Sequence, residues 1–246
     1  MLTRRLALCA ALIPLFASTT ASAWGNETVR GSGNVVTQTR AITGFDAIST
    51  RGGIDVLVRQ SGKESVEVQT DDNLQSVLET QVVSGAKGRT LEISFKKGYS
   101  VSNHSKTLVT VDVIQLRALS IAGSGDVRAE SINSPQLNLA IAGAGDMRLG
   151  KLSCDEIKIS VAGSGDVVAS GKTQKLSISI AGSGDVKTEG LAADDVSVSI
   201  AGSGDAVVAA KQNLTVKVAG SGDVKYVGNP ANIKSSIMGS GSVNKL

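Results

Sequence analysis

From residue 116 onward, large apolar and small polar residues alternate in short runs, and each run ends in a glycine-rich tetrad. Gly-Ser-Gly-Asp or a close variant begins at Gly123, Gly143 (with Ala144 second), Gly163, Gly182, Gly202, Gly220 and Gly239 (ending in Ser242). The spacings are 20, 20, 19, 20, 18 and 19 residues. Two residues before each tetrad stand Ile121, Ile141, Val161, Ile180, Ile200, Val218 and Ile237. Four before stand Leu119, Leu139, Ile159, Ile178, Val198 and Val216, with Ser235 interrupting the column. Six before stand Leu137, Ile157, Leu176, Val196, Leu214 and Ile233, with Arg117 interrupting. Another column follows each tetrad: Val127, Met147, Val167, Val186, Ala206, Val224 and Val243. Period-two alternation describes a strand with one buried face.

Each copy therefore reads as strand, glycine corner, strand and a variable stretch. A unit of this size cannot bury a face alone and must stack on its neighbours. The expectation is an all-β fold, a single-stranded parallel β-helix (β-solenoid), right-handed, with 18–20 residues per coil. Residues 116–246 supply seven regular coils built on Ala-Gly-Ser-Gly-Asp. A side chain at the corner glycines would clash with the next coil or demand positive φ.

Residues 24–115 are less regular. Val35-Val36, Ile54–Val58, Val66–Val68, Leu91–Ile93 and Val109–Val113 read as strands, separated by turn signals such as Gly52-Gly53 and Asp71-Asp72-Asn73. Leu74 to Val82 fits a short helical turn. This half is expected to form wider coils of the same solenoid and to cover its first end.

Residues 1–23 have the build of a secretory signal peptide: basic Arg4 and Arg5, an apolar run from Leu6 to Phe16, and small Ala21-Ser22-Ala23. Cleavage would start the mature chain at Trp24. The net charge is +3, and two of the positive charges are Arg4 and Arg5. The remainder gives no electrostatic case for nucleic acid or an anionic membrane. The apolar leader is too short to span a bilayer. Past it, Cys154 is the lone cysteine, so the mature chain closes no internal disulfide, and a buried apolar role is expected for it.

Phe45-Asp46-Ala47-Ile48, Gly53-Ile54-Asp55-Val56-Leu57-Val58, Asp72-Asn73-Leu74 and Leu91-Glu92-Ile93 precede the glycine-aspartate coils in that order. In this combination the chain resembles the head GIN domain family, labelled auto-transporter adhesin, over roughly residues 40–230. The resemblance implies an exported bacterial β-helix with no established activity. An auto-transporter needs a C-terminal membrane barrel, and Ile233 to Leu246 carry no such strands. The expected location is the periplasm, or the cell surface by separate machinery.

Chemistry is sparse. His104, the one histidine, sits in the polar stretch Ser102-Asn103-His104-Ser105 and reads as a loop residue rather than part of a Ser-His-Asp or Cys-His arrangement, and one histidine with the mature chain's one cysteine gives too few zinc ligands. No cofactor and no catalytic residue are expected. The aspartate column is the feature with chemical potential: Asp126, Asp146, Asp166, Asp185, Asp205 and Asp223. In one reading each carboxylate accepts backbone N–H groups at its own corner. In the other, calcium sits between coils, since the tetrad resembles the core of calcium-binding β-rolls, although their period is half this one and calcium wants six or more oxygens.

The sequence thus points to an exported, non-catalytic scaffold or binding module of the cell envelope, adhesin-like, facing an envelope glycan or cell-surface protein. The alternatives are a β-helix polysaccharide-active enzyme and a calcium-binding solenoid. The last coil carries no helix to cap it, so weak self-association through the C-terminal end is also expected.

Overall fold

A computed structural model describes residues 27–85, 88–102 and 105–246. The leader, Trp24 and His104 lie outside the described residues. The first half contains β1 (Glu27–Arg30), β2 (Val35–Arg40), β3 (Ala47–Gly52), β4 (Ile54–Gln60) and β5 (Ser65–Asp71). After these come β6 (Leu78–Gly85), β7 (Gly88–Phe95), β8 (Tyr99–Ser102) and β9 (Thr107–Val113). The regular half runs through β10 (Ala118–Gly123), β11 (Val127–Gly143), β12 (Met147–Gly163), β13 (Val167–Gly182), β14 (Val186–Gly202) and β15 (Ala206–Gly220). It finishes with β16 (Val224–Val227), β17 (Asn232–Gly239) and β18 (Val243–Lys245).

The fold is an all-β solenoid of stacked parallel strands. Each tetrad lies over the one before it: Gly123, Gly143, Gly163, Gly182, Gly202, Gly220 and Gly239 are register partners in series. The apolar columns face one continuous interior, where Ile141, Val161, Ile180, Leu139, Ile159 and Val167 are all buried. The stretch between the two apolar segments, irregular in sequence, is also strand. Along β11 the alternation of buried and exposed residues slips at Glu130-Ser131 and again at Pro135-Gln136. Each slip turns the chain onto a new side, so a coil has three sides lined by Val127 and Ala129, Ile132 and Ser134, then Leu137, Leu139 and Ile141. Differences in coil length are absorbed mainly at the first slip, where the register shifts beside Gly150, Ala169 and Glu189.

The first half departs from the expected wider coils. Only β3 and β4 form a coil beneath the regular ones, β3 pairing with β10 and β4 with β11, both parallel. Below them β7 and β9 continue the two sides in parallel. Then the direction reverses: β6 lies antiparallel to β7, β5 to β9 and β2 to β5. Only β6 and β7 adjoin in sequence, as in a hairpin; β5 reaches β9, and β2 reaches β5, from further along the chain. The result is a closing layer. The helical turn expected at Leu74 to Val82 is a 3-10 turn at Asp72–Leu74, and Leu78, Thr80 and Val82 alternate with Glu79 and Gln81 in strand β6.

Asp46 fastens this layer to the coils. Its carboxylate accepts from Arg117 Nε at 2.7 Å and from the Arg89 backbone N–H at 3.2 Å. The Arg117 hydrogen bond holds the Asp46 carboxyl below the usual carboxylate range, although burial opposes it. A depressed acid stabilises the fold above its unfolded pKa, and that contribution disappears as pH falls through the folded value. Asp46→Asn should therefore lower the melting temperature at pH 7 and bring it closer to the parent in strong acid. Melting curves across pH check this, and an equal deficit at every pH would contradict it.

The tetrad glycines are required for two reasons. The first glycine of each copy has φ between +131° and +145°. A methyl group on Gly163 would lie 2.2 Å from the Gly143 carbonyl oxygen, and one on Gly165 would lie 2.2 Å from the Gly145 oxygen. The serine between them is exposed. Gly163→Ala and Gly165→Ala should each cost about 4 kcal/mol or more, whereas Ser164→Ala should stay within about 0.5 kcal/mol. Denaturant unfolding measures both, and a Gly165→Ala chain as stable as the parent would refute the packing account.

Candidate functional site

The six aspartates form one ladder up the corner of the solenoid. Each aspartate N–H donates to Oδ1 of the aspartate in the preceding coil: Asp146 to Asp126 at 3.2 Å, Asp166 to Asp146 at 3.1 Å and Asp185 to Asp166 at 2.9 Å. Asp205 to Asp185 at 3.1 Å and Asp223 to Asp205 at 2.8 Å continue it. The carboxylates therefore do not serve their own corners, as expected from sequence, but the next ones. The reason is geometric. The Ser164 and Gly165 N–H groups already donate to the Gly143 carbonyl, at 2.9 and 3.2 Å. The aspartate N–H is left over, and the coil before it lies one strand spacing away, about 4.8 Å, which brings that coil's aspartate Oδ1 within hydrogen-bonding reach.

Both ends of the ladder escaped the sequence reading. Asp55 is its first rung and accepts the Asp126 N–H at 3.0 Å. The signal was present: Gly52-Gly53-Ile54-Asp55-Val56 aligns with Gly123-Ser124-Gly125-Asp126-Val127, with isoleucine hiding the tetrad. Ser242 is the last rung, and both its N–H and its hydroxyl donate to Asp223 Oδ1 at 2.8 Å.

At Asp126, Asp146 and Asp185 the second carboxylate oxygen faces a basic side chain two positions on, whereas Val168 and Val207 hold that position after Asp166 and Asp205. Arg148 lies 3.1 Å from Asp146 Oδ2 and 3.9 Å from Asp126 Oδ2, and Lys187 lies 3.8 Å from Asp185 Oδ2. These exposed pairs add little stability each, but they offset the repulsion between carboxylates stacked at this spacing, about 0.9 kcal/mol per pair in bulk water. Among the described residues, no group of three or more His, Cys, Asp or Glu is placed to hold a metal ion.

Cys154 lies buried on the short side of the coil, in register with Ser134 and Thr173. Burial pushes its thiol up, so it is protonated and unreactive at neutral pH. A groove of about 700 Å³ brings exposed Glu130 near Arg128, Arg148 and Lys151. This is the grouping closest to what a polysaccharide enzyme uses, but its arginines also face the ladder carboxylates.

The broadest regular surface is the outer face of the longest side. Ala122, Ala142, Ala162, Ala181, Ala201 and Ala219 form an exposed column in strict register. Ser160, Ser179 and Ser199 flank it on one side, with Ser164, Ser183 and Ser203 on the other. The alanine column and the corner serines carry only small side chains from Ala122 to Ala219, while exposed Lys217 takes the place of serine in the flanking column over Ser199 and exposed Lys158 lies further along the rung of Ala162.

Replacing Asp166 by alanine strands the Asp185 N–H, which should cost about 1–3 kcal/mol. Asn keeps an acceptor oxygen, so Asp166→Asn should cost less. Millimolar calcium should leave the melting temperature unchanged. A calcium-dependent rise in calorimetry, lost when Asp166→Asn and Asp185→Asn are combined, would instead make the ladder a cation site.

Comparison with curated proteins returns no match. Among solved structures, the chain is similar to a Bacteroides fragilis protein described as a "putative adhesin": identity 26%, TM-score 0.81, covering 89% of this chain and 100% of that one. A Parabacteroides distasonis protein described as a "putative lipid binding protein" shares 29% identity at a TM-score of 0.76, with the same coverage. Another "putative adhesin" from that organism shares 27% at 0.72, again over 89% and 100%. No helix among the described residues is long and apolar enough to cross a membrane. The family model described as "Putative auto-transporter adhesin, head GIN domain" matches residues 44–230, from the approach to β3 to the loop after β16, and the chain belongs to that family.

Proposed function

We propose that this protein is an exported, non-catalytic binding module of the cell envelope, whose flat serine-alanine face meets a repeating ligand such as an envelope glycan. The observation that carries this reading is the register of that face. Equivalent small side chains recur in the alanine and corner-serine columns on each rung from Ala122 to Ala219, about 4.8 Å apart, a periodic surface suited to a periodic polymer. The adhesin-type family and the protonated, buried Cys154 support it. The aspartates support it as well, because their Oδ1 atoms are committed to the backbone of the next coil.

The mature chain should co-sediment with purified envelope polysaccharide. Arginines introduced as Ala162→Arg and Ala201→Arg point to solvent, so they should leave the melting temperature nearly unchanged while weakening co-sedimentation at least tenfold. Undiminished binding by this double variant would remove the face from the site. Release of new reducing ends from the polymer would restore the enzyme reading. Capture by lipid vesicles but not by polysaccharide would point to a different ligand class.

A further inference from the structure

The two ends of the solenoid are finished differently. At the first end, β2, β5 and β6 lie antiparallel to the strands they close over. At the other, β17 pairs with β15 along one edge, and its second edge pairs with no strand among the described residues. Its side chains continue the interior columns into solvent. Val218 is 1% exposed, whereas Ile237, its partner in the next coil, is 39% exposed and Ile233 is 46% exposed. An unpaired strand edge beside open apolar columns is a template for further pairing.

We infer that this end docks on the same end of a second copy of the chain, with β17 against β17 across a two-fold axis. A two-fold contact is self-complementary and closes on itself, so it yields a dimer rather than a filament. It also makes the two strands antiparallel, with inward residues staying inward. With Ser235 on the axis, Ile233 opposes Ile237 of the second copy, and Ile237 opposes its Ile233. Lys234 then faces Ser236. Sliding two residues one way sets Lys234 against Lys234, and sliding the other way sets Ile237 against Ser235. Of these three registers, the one centred on Ser235 pairs both isoleucines and separates the charges. The opposite end of the molecule presents antiparallel strands instead of an open coil, so a second C-terminal end is the surface whose columns coincide with these. The proposal is independent of the ligand of the serine-alanine face, although the axis would bring both such faces to one side.

Sedimentation velocity of the mature chain should show a monomer–dimer equilibrium that shifts with concentration. Paired antiparallel residues lie about 4.5–5.5 Å apart between Cα atoms, within the span of about 4.4–6.8 Å that a disulfide bridges. Oxidised Ser235→Cys should therefore run as a covalent dimer. Ser183→Cys, exposed on a middle coil, should not, and the buried Cys154 of the parent should give none. Ile237→Lys should raise the dimer dissociation constant at least tenfold with little change in circular dichroism, because the site is already partly exposed. A monomer at every concentration overturns the inference. So does a dimer that Ile237→Lys leaves intact, or one that Ser235→Cys fails to trap.

Discussion

Everything in this fold depends on how closely the backbone of one coil lies on the backbone of the next at the glycine corner. The Gly143 oxygen stands 2.2 Å from where a methyl on Gly163 would be, and the Gly182 oxygen stands equally near the corresponding point on Gly202. No side chain fits between them. That approach lets the corner carbonyls accept two N–H groups from the following coil, as Gly163 accepts from Ser183 and Gly184 at 2.9 and 3.1 Å. It also locks the register of both flanking strands, because the strands leave the corner in directions the stacked turns have already fixed. The interior columns are a consequence: once the corners superpose, Ile141, Val161 and Ile180 have no arrangement except a ladder.

The aspartate completes the same constraint. A tight turn leaves one more N–H per corner than the corner carbonyls satisfy, and an unpaired N–H inside a stack is costly. The carboxylate supplies the missing acceptor from one coil to the next, so the ladder acts as an extra line of backbone bonding made from side chains. Carboxylates placed this closely repel, and Arg148 and Lys187 at the neighbouring outward positions reduce that repulsion. The Oδ1 atoms of the aspartate column are thereby engaged in hydrogen bonding from coil to coil.

The regular half was legible in the sequence because one physical unit repeats. Seven copies fix the phase of every apolar position, and register follows from phase. The first half was not, for reasons visible in single residues. Ile54 stands where the second tetrad glycine would be, so the first corner and its rung at Asp55 are masked. Whether strands such as Val66–Val68 pair parallel or antiparallel depends on where the chain returns, and local alternation is the same in both cases. The direction of the carboxylate bonds was misjudged for a related reason. Sequence shows an aspartate in a turn, but not that the turn above lies nearer to its oxygen than any free N–H of its own.

Stacking also separates what folding demands from what it leaves open. The glycines, the aspartate and the apolar columns are each required by a contact with an adjacent coil. The serine between the glycines is not: it is exposed, Ala144 replaces it in one copy, and it nevertheless recurs in the other six. The outward alanines are likewise free of steric demand, since a larger exposed residue is accommodated where Met238 stands in the final coil. Solvent would accept lysine or glutamate at these positions and gain solubility from them. The alanine column and the corner serines thus stay small from Ala122 to Ala219 where stacking does not require it, unlike the glycines and aspartates, whose identity the contact between coils accounts for.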